Sequence, residues 1–148
     1  MPHDVAVIAG DGAGPEVVAE ARKVVDALDL RGVALYAPTE DRLREQFGTP
    51  QAALDAGAEI VVVTRGADGS AAYTREGQAF EAAAYTIDAV STLGAGDVFH
   101  GALLACLVRD LPLGEALERA NICAAISCRA LDGRSAIPTW DELEARVA

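Results

Sequence analysis

The chain has 148 residues, 51% of them hydrophobic but only 5% aromatic, and carries a formal charge of −11. That length suits one domain with a core of Ala, Val, Leu and Ile, and the acidic balance argues against nucleic acid or an anionic membrane surface as a partner. A small anionic ligand remains admissible, because net charge is screened beyond about 8 to 10 Å while local N–H groups act at contact.

The start lacks the basic residues of a signal peptide, and no window approaches the roughly 18 apolar residues of a membrane span, so a cytosolic location is expected. Residues 5–9 (Val-Ala-Val-Ile-Ala) read as a short buried strand, ended by the turn Gly10-Asp11-Gly12-Ala13-Gly14-Pro15. From Pro15 a helix is predicted, with Val17, Val18, Ala21, Val24, Val25 and Leu28 at helical spacing. Residues 32–37 give a second strand, stopped by Pro38. Thr39 then caps a short helix that Gly48 closes, and Thr49-Pro50 opens another.

Ile60-Val61-Val62-Val63 is a β-branched run of the kind buried on both faces of a parallel sheet, and Arg65 to Gly69 turns the chain. Residues 70–73 and 78–84 flank Thr74-Arg75-Glu76-Gly77 as a β-hairpin, and residues 85–90 form a further extended run. A helix is predicted over 98–109, a longer one over 115–130, and a terminal one from Trp140 or Asp141 with Thr139 and Glu142 as a capping box. His100 reads as a packing residue or one that supports the site from behind, with a catalytic role as the alternative. The three cysteines, Cys106, Cys123 and Cys128, lie in apolar stretches without a C-x-x-C pair and read as small buried residues, so no metal ligand is assigned.

The stretch Ser91-Thr92-Leu93-Gly94-Ala95-Gly96-Asp97-Val98-Phe99-His100-Gly101-Ala102 joins a glycine-rich turn to an apolar helix. Backbone N–H groups can converge at such a turn on an anion, helped by the positive end of the helix dipole. Asp97 is then either a plain N-cap or a base that takes a proton from a hydroxyl attacking phosphorus.

This string resembles the D-T-x-G-A-G-D signature of the ribokinase-like (PfkB-type) carbohydrate kinases. The resemblance implies Asp97 as catalytic base and Gly94, Ala95 and Gly96 as the anion hole. Residues 63–70 are similar to the family's V-T-x-G-x-x-G loop, which implies Thr64, Gly66 and Gly69 beside the nucleotide. Ala120-Asn121-Ile122-Cys123-Ala124 is similar to its A-N-x-x-A segment, which implies Asn121 and Ala124 in the adenine pocket; an exposed or capping amide is the plain alternative for Asn121. ATP and Mg²⁺ are the implied cofactors. Ser91 stands where the family has the Asp of its monovalent-cation region, which puts that cation in doubt, and Thr39 and Arg42 stand where it has N-x-x-E.

Residues 10–18 also resemble the G-D-G-I-G-P-E-V opening of isopropylmalate and isocitrate dehydrogenases. The expected architecture is α/β, a three-layer α/β/α sandwich with a mostly parallel sheet and a β-hairpin. It forms a single domain over residues 1–148, made of a βα head (1–36) of open origin and a ribokinase-like segment (37–148). The family's N-terminal sugar-binding half has no counterpart before residue 5. Three expectations therefore stand together: phosphoryl transfer from ATP to a sugar or related alcohol, reduced to nucleotide binding if half a site cannot orient an acceptor; a truncated or engineered chimeric fragment without turnover; and an NAD-dependent oxidoreductase resting on the head alone. Unpaired strand edges would make a homodimer unsurprising.

Overall fold

A computed structural model of the chain describes residues 35–147. The strand, turn and helix read in residues 5–28, and with them the dehydrogenase-like head, lie outside the described residues. The elements in order are β1 (Leu35–Tyr36), α1 (Glu40–Gln46), α2 (Pro50–Asp55), β2 (Ile60–Thr64), a 3₁₀ turn (Gly66–Asp68), β3 (Ser70–Thr74), β4 (Ala79–Ala82), α3 (Ala95–Leu107), α4 (Leu113–Ser127) and α5 (Trp140–Val147).

The sheet runs β1-β2-β3-β4. β1 and β2 are parallel, joined through α1 and α2, while β2–β3 and β3–β4 are antiparallel. The described sheet is thus mixed rather than mostly parallel. Only the short turn from Arg65 to Gly69 separates β2 from β3, too little chain for the crossover that a parallel pairing requires.

Strand alternation sends successive residues to opposite faces, and β2 uses both. Val61 and Val63 pack with Tyr36, Leu43, Ala53 and Leu54 under α1 and α2. Val62 and Ala72, which are register partners, pack with Phe99, Leu103, Cys106, Ala116, Leu117 and Ala120 from α3 and α4. Helices therefore cover both faces, which makes the expected three layers.

Local chemistry sets the helix ends. Thr39 Oγ1 accepts from the Arg42 N–H at 3.3 Å and Thr49 Oγ1 from the Ala52 N–H at 3.2 Å, with Pro50 opening the helix that follows. At α5 the Glu142 carboxylate accepts from the Thr139 N–H at 2.8 Å while Thr139 Oγ1 accepts from the Glu142 N–H at 3.4 Å, completing the capping box. Arg119, nearly buried on α4, ties α5 down through a bidentate pair with Glu144 at 2.7 and 3.0 Å, and this hydrogen bonding holds the Glu144 carboxyl below its ordinary range.

Two elements depart from expectation. Residues 85–90 pair with no strand, although the Val90 and Ser91 N–H groups both donate to the Cys128 carbonyl, at 2.8 and 3.0 Å. The helix expected from residue 98 begins at Ala95, because Gly94 takes a left-handed conformation (φ 75°, ψ 1°) that turns the chain straight into helix. All three cysteines are buried, as their apolar surroundings implied. Among the described residues, no helix is long and apolar enough to cross a membrane.

Leu117 has no exposed surface and belongs to the cluster that joins α4 to the sheet. Leu117→Ala should cost about 2 to 5 kcal/mol in urea unfolding, seen as a lower midpoint with an unchanged slope. A loss below about 1 kcal/mol would show that this helix is not docked as described.

Candidate active site

The turn before α3 brings chemistry together because its backbone is only partly engaged. The Ala95 N–H donates to the Thr92 carbonyl at 3.2 Å and the Val98 N–H to the Gly94 carbonyl at 3.0 Å. Between them, the N–H groups of Gly96 and Asp97 have no acceptor among the described residues, as the first turn of a helix leaves them. Ser91 supports the approach locally, its Oγ accepting from the Leu93 N–H at 3.2 Å.

Asp97 occupies the third helical position, not the N-cap, and its side chain makes no capping bond. The plain N-cap alternative therefore falls, since Gly94 holds that position. The carboxylate is exposed, without hydrogen bond or ion pair to any described residue. One turn on, His100 Nε2–H donates to the Ala37 carbonyl at 3.0 Å and its ring meets Phe99 edge-on. That bond seats the start of α3 over the C-terminal end of β1, the edge at which open α/β sheets place ligands.

A cavity of about 640 Å³ opens beside this turn, lined by Gly94 and Asp97 and by Val98, Ala102 and Trp140 deeper in. The loop Asp132-Gly133-Arg134 and Ile137 also line it. Gly133 has φ 64°, and a Cβ there would lie 2.2 Å from the Leu93 carbonyl oxygen, so the loop rests directly on the backbone of the anion turn. Asp132 Oδ1 accepts from the Arg134 N–H, the Ser135 N–H and the Ser135 hydroxyl, each at 3.0 Å. These bonds stabilise the ionised form and lower the Asp132 pKa from 3.8 to about 2. The D-G-x-S spacing of an Asx turn was the available signal. Cys123 also lines the cavity, but burial pushes its thiol pKa up, which disfavours a thiolate nucleophile.

The nucleotide candidates form a second group. Gly69 (φ 86°) lies against the strand exit, where a Cβ would sit 2.1 Å from the Ala82 carbonyl oxygen. Buried Asn121 donates from Nδ2 to the Ala82 and Ala83 carbonyls at 3.0 and 3.1 Å. Gly69 and Asn121 thus meet on residues 82–84, and Asn121 is neither exposed nor a helix cap. Gly66 (φ 58°) has open space where a Cβ would point, so only its backbone angle asks for glycine. Thr64 ends β2, its N–H donating to the Pro38 carbonyl at 3.1 Å, and Ala124 lies half-buried on α4, its carbonyl accepting from the Ser127 hydroxyl at 2.7 Å. None of these five lines the cavity, and Ala95 and Gly96 do not either. At Thr39 and Arg42 the local bond caps α1, which accounts for the threonine without a metal.

The α/β/α layers thus carry a glycine turn and an exposed carboxylate at the start of α3. The chain belongs to the pfkB family of carbohydrate kinases, whose profile matches residues 15–140. That match begins upstream of Ala37, where the sequence motifs begin. The chain is 38% identical over 91 residues to a 5-dehydro-2-deoxygluconokinase of Listeria monocytogenes, an alignment covering 62% of this chain and 28% of that protein. The crystal structure of a Thermotoga maritima ribokinase matches with a TM-score of 0.67 at 29% identity, covering 76% of this chain and 41% of that one. An Escherichia coli chain assigned as a ribokinase II, solved with ATP and Mg²⁺, matches with a TM-score of 0.69 at 27% identity, covering 88% and 44%. The chain therefore spans less than half the length of these relatives.

Two measurements test the geometry. Gly133→Ala meets both the left-handed backbone and the Leu93 carbonyl, whereas Gly66→Ala meets only the former. The Gly66 change should cost about 1 to 2 kcal/mol and the Gly133 change clearly more, by chemical denaturation; equal costs would remove the close contact. The lowered folded pKa of Asp132 means its stabilising bonds are fully present above the unfolded value of 3.8 and are lost as pH falls through about 2. In amide NMR the Arg134 and Ser135 signals should shift in that window, and Asp132→Asn should abolish the titration.

Proposed function

We propose that the chain carries the nucleotide-binding and phosphoryl-transfer part of an ATP-dependent carbohydrate kinase, acting on a hydroxyl of a sugar or related alcohol. The observation that carries this reading is Asp97, its side chain exposed and unpaired among the described residues and its own amide open beside that of Gly96 at the start of α3. In the proposed step the Asp97 carboxylate takes the proton of the acceptor hydroxyl as its oxygen attacks the γ-phosphorus. The bond to the β–γ bridging oxygen breaks, and ADP leaves with that electron pair.

The Gly94-Ala95-Gly96 turn receives the transferred phosphoryl group, chiefly through the amides of Gly96 and Asp97, which are preorganised and need no rearrangement. Thr64, Gly66, Gly69, Asn121 and Ala124 are the proposed nucleotide neighbours, of which Gly69 and Asn121 meet at the exit of β4. Among the described residues no group of three His, Cys, Asp or Glu side chains stands ready for a metal. Mg²⁺ in this reading comes bound to the nucleotide and neutralises charge between its phosphates. A cytosolic location suits such chemistry.

Coverage favours a second reading. Because the alignment spans 28% of the Listeria kinase, the chain can hold nucleotide yet lack the surfaces that orient an acceptor. Calorimetry with Mg-ATP and a turnover assay over a broad sugar panel separate the two, since affinity without turnover selects the second. If turnover is found, Asp97→Asn should lower it by about 10²- to 10⁴-fold while leaving Mg-ATP affinity nearly unchanged. An Asn variant as active as the original chain would end the base assignment.

A further inference from the structure

The proposed nucleotide neighbours belong to two elements, the end of β2 and its turn with Thr64, Gly66 and Gly69, and α4 with Asn121 and Ala124. Residues 82–84 lie between them. On one side a Cβ at Gly69 would meet the Ala82 carbonyl oxygen at 2.1 Å, the Ala84 nitrogen at 2.7 Å and the Ala83 carbonyl carbon at 2.8 Å, so the turn rests on bare backbone. On the other side Asn121 Nδ2 donates to the Ala82 and Ala83 carbonyls at 3.0 and 3.1 Å. An amide nitrogen has two hydrogens to give, and these bonds use both. The ladder itself stops at the pair Ser70 and Ala82, and β4 ends the described sheet, so past that pair Gly69 and Asn121 fix the path of the chain. The turn is closed as well, because the Gly69 carbonyl accepts from the Arg65 N–H at 2.8 Å and the Gly69 N–H donates to the Gly66 carbonyl at 3.2 Å. A shift at residues 82–84 therefore reaches Gly69 and Gly66 together.

Resting on the kinase reading above, we propose that Asn121 is a positioning residue: through the backbone of residues 82–84 it fixes the spacing between α4 and the turn at Gly69, and so sets nucleotide affinity without donating to the nucleotide. Its Nδ2 hydrogens cannot serve a ring nitrogen of the base as well, because each one withdrawn leaves a buried side chain and a backbone carbonyl without their bond. Backbone in contact with backbone has no side chain to compress, which makes residues 82–84 a spacer of fixed thickness between the two elements. With the amide removed, the turn is held from one side only. A nucleotide must then restore the spacing as it binds, and that ordering is subtracted from its affinity. The effect falls on the whole nucleotide, so it is the same whichever base the nucleotide carries.

The test joins amide NMR of the full chain to calorimetry with Mg-ATP and Mg-ITP, whose base carries an oxygen in place of the adenine amino group. Asn121→Ala removes the side-chain amide, and Asn121→Asp keeps its shape while removing both donors, so either variant suffices should the other fail to fold. Ile126→Val, a mild cut in the buried apolar contacts of the same helix, is the control for stability alone. Without ligand, both Asn121 variants should move the amide signals of Gly69 and Gly66, which Asn121 does not bond, and Ile126→Val should leave them in place. Both should weaken Mg-ATP by about tenfold and Mg-ITP by the same factor to within about twofold, with Ile126→Val within about twofold of the original chain for each. Unmoved Gly69 signals or unchanged affinities overturn the proposal, because the spacing is then not transmitted. A loss confined to Mg-ATP overturns it by making Asn121 a reader of the base, and an equal loss in Ile126→Val overturns it by tracing the effect to stability. If the original chain binds no Mg-ATP, the kinase reading fails on its own account, and the part played by Asn121 in placing the turn is decided by the Gly69 signals.

Discussion

The contact between Gly133 and the Leu93 carbonyl decides more about this molecule than any side-chain pair. A backbone that approaches another so closely leaves no room for a Cβ, and the left-handed φ of Gly133 removes the remaining alternatives. The loop before α5 is thereby registered against the turn before α3, and the cavity between them acquires its shape. The second glycine of the pair, Gly94, performs the complementary task of turning the chain into helix without a capping side chain. Open amides at the start of α3 follow from that economy, because no Ser, Thr or Asp oxygen occupies them.

Around this junction the rest of the fold acts as a frame. The parallel β1–β2 pair sets one edge, and the bond from His100 to Ala37 seats α3 upon it. α3 and α4 pack through small and branched residues onto Val62 and Ala72, so the helix that presents Asp97 is held by a buried cluster rather than by polar contacts. α5 is bound to α4 by Arg119 and Glu144, and the Arg109 guanidinium lies 4.4 Å from the centre of the Trp140 ring, a second tie on α5. A rigid frame with an exposed carboxylate suits proton transfer, which requires a base whose position is fixed before the substrate arrives.

The two groups of candidate residues differ in what the fold demands of them. Gly69 and Asn121 have full structural employment, one in a close backbone approach and the other as a buried amide serving two carbonyls. The exposed side chain of Asp97 makes no such contact among the described residues.

Much was written in local chemistry. The β-branched run of β2, the capping threonines at 39, 49 and 139, and the glycine turn before α3 each act through neighbours within a few residues, so sequence alone specified them, and the ordered motifs carried the family. The mixed sheet was legible in principle from the short connection after β2, but the periodicity of apolar residues says nothing of strand direction. What only the tertiary structure decided was the meeting of distant segments: Gly133 upon Leu93, Asn121 upon residues 82–84, and the loop 132–134 and the start of α3 around one cavity. Those pairings depend on how the layers pack, and a linear pattern of residue types carries no information about which loops that packing brings face to face.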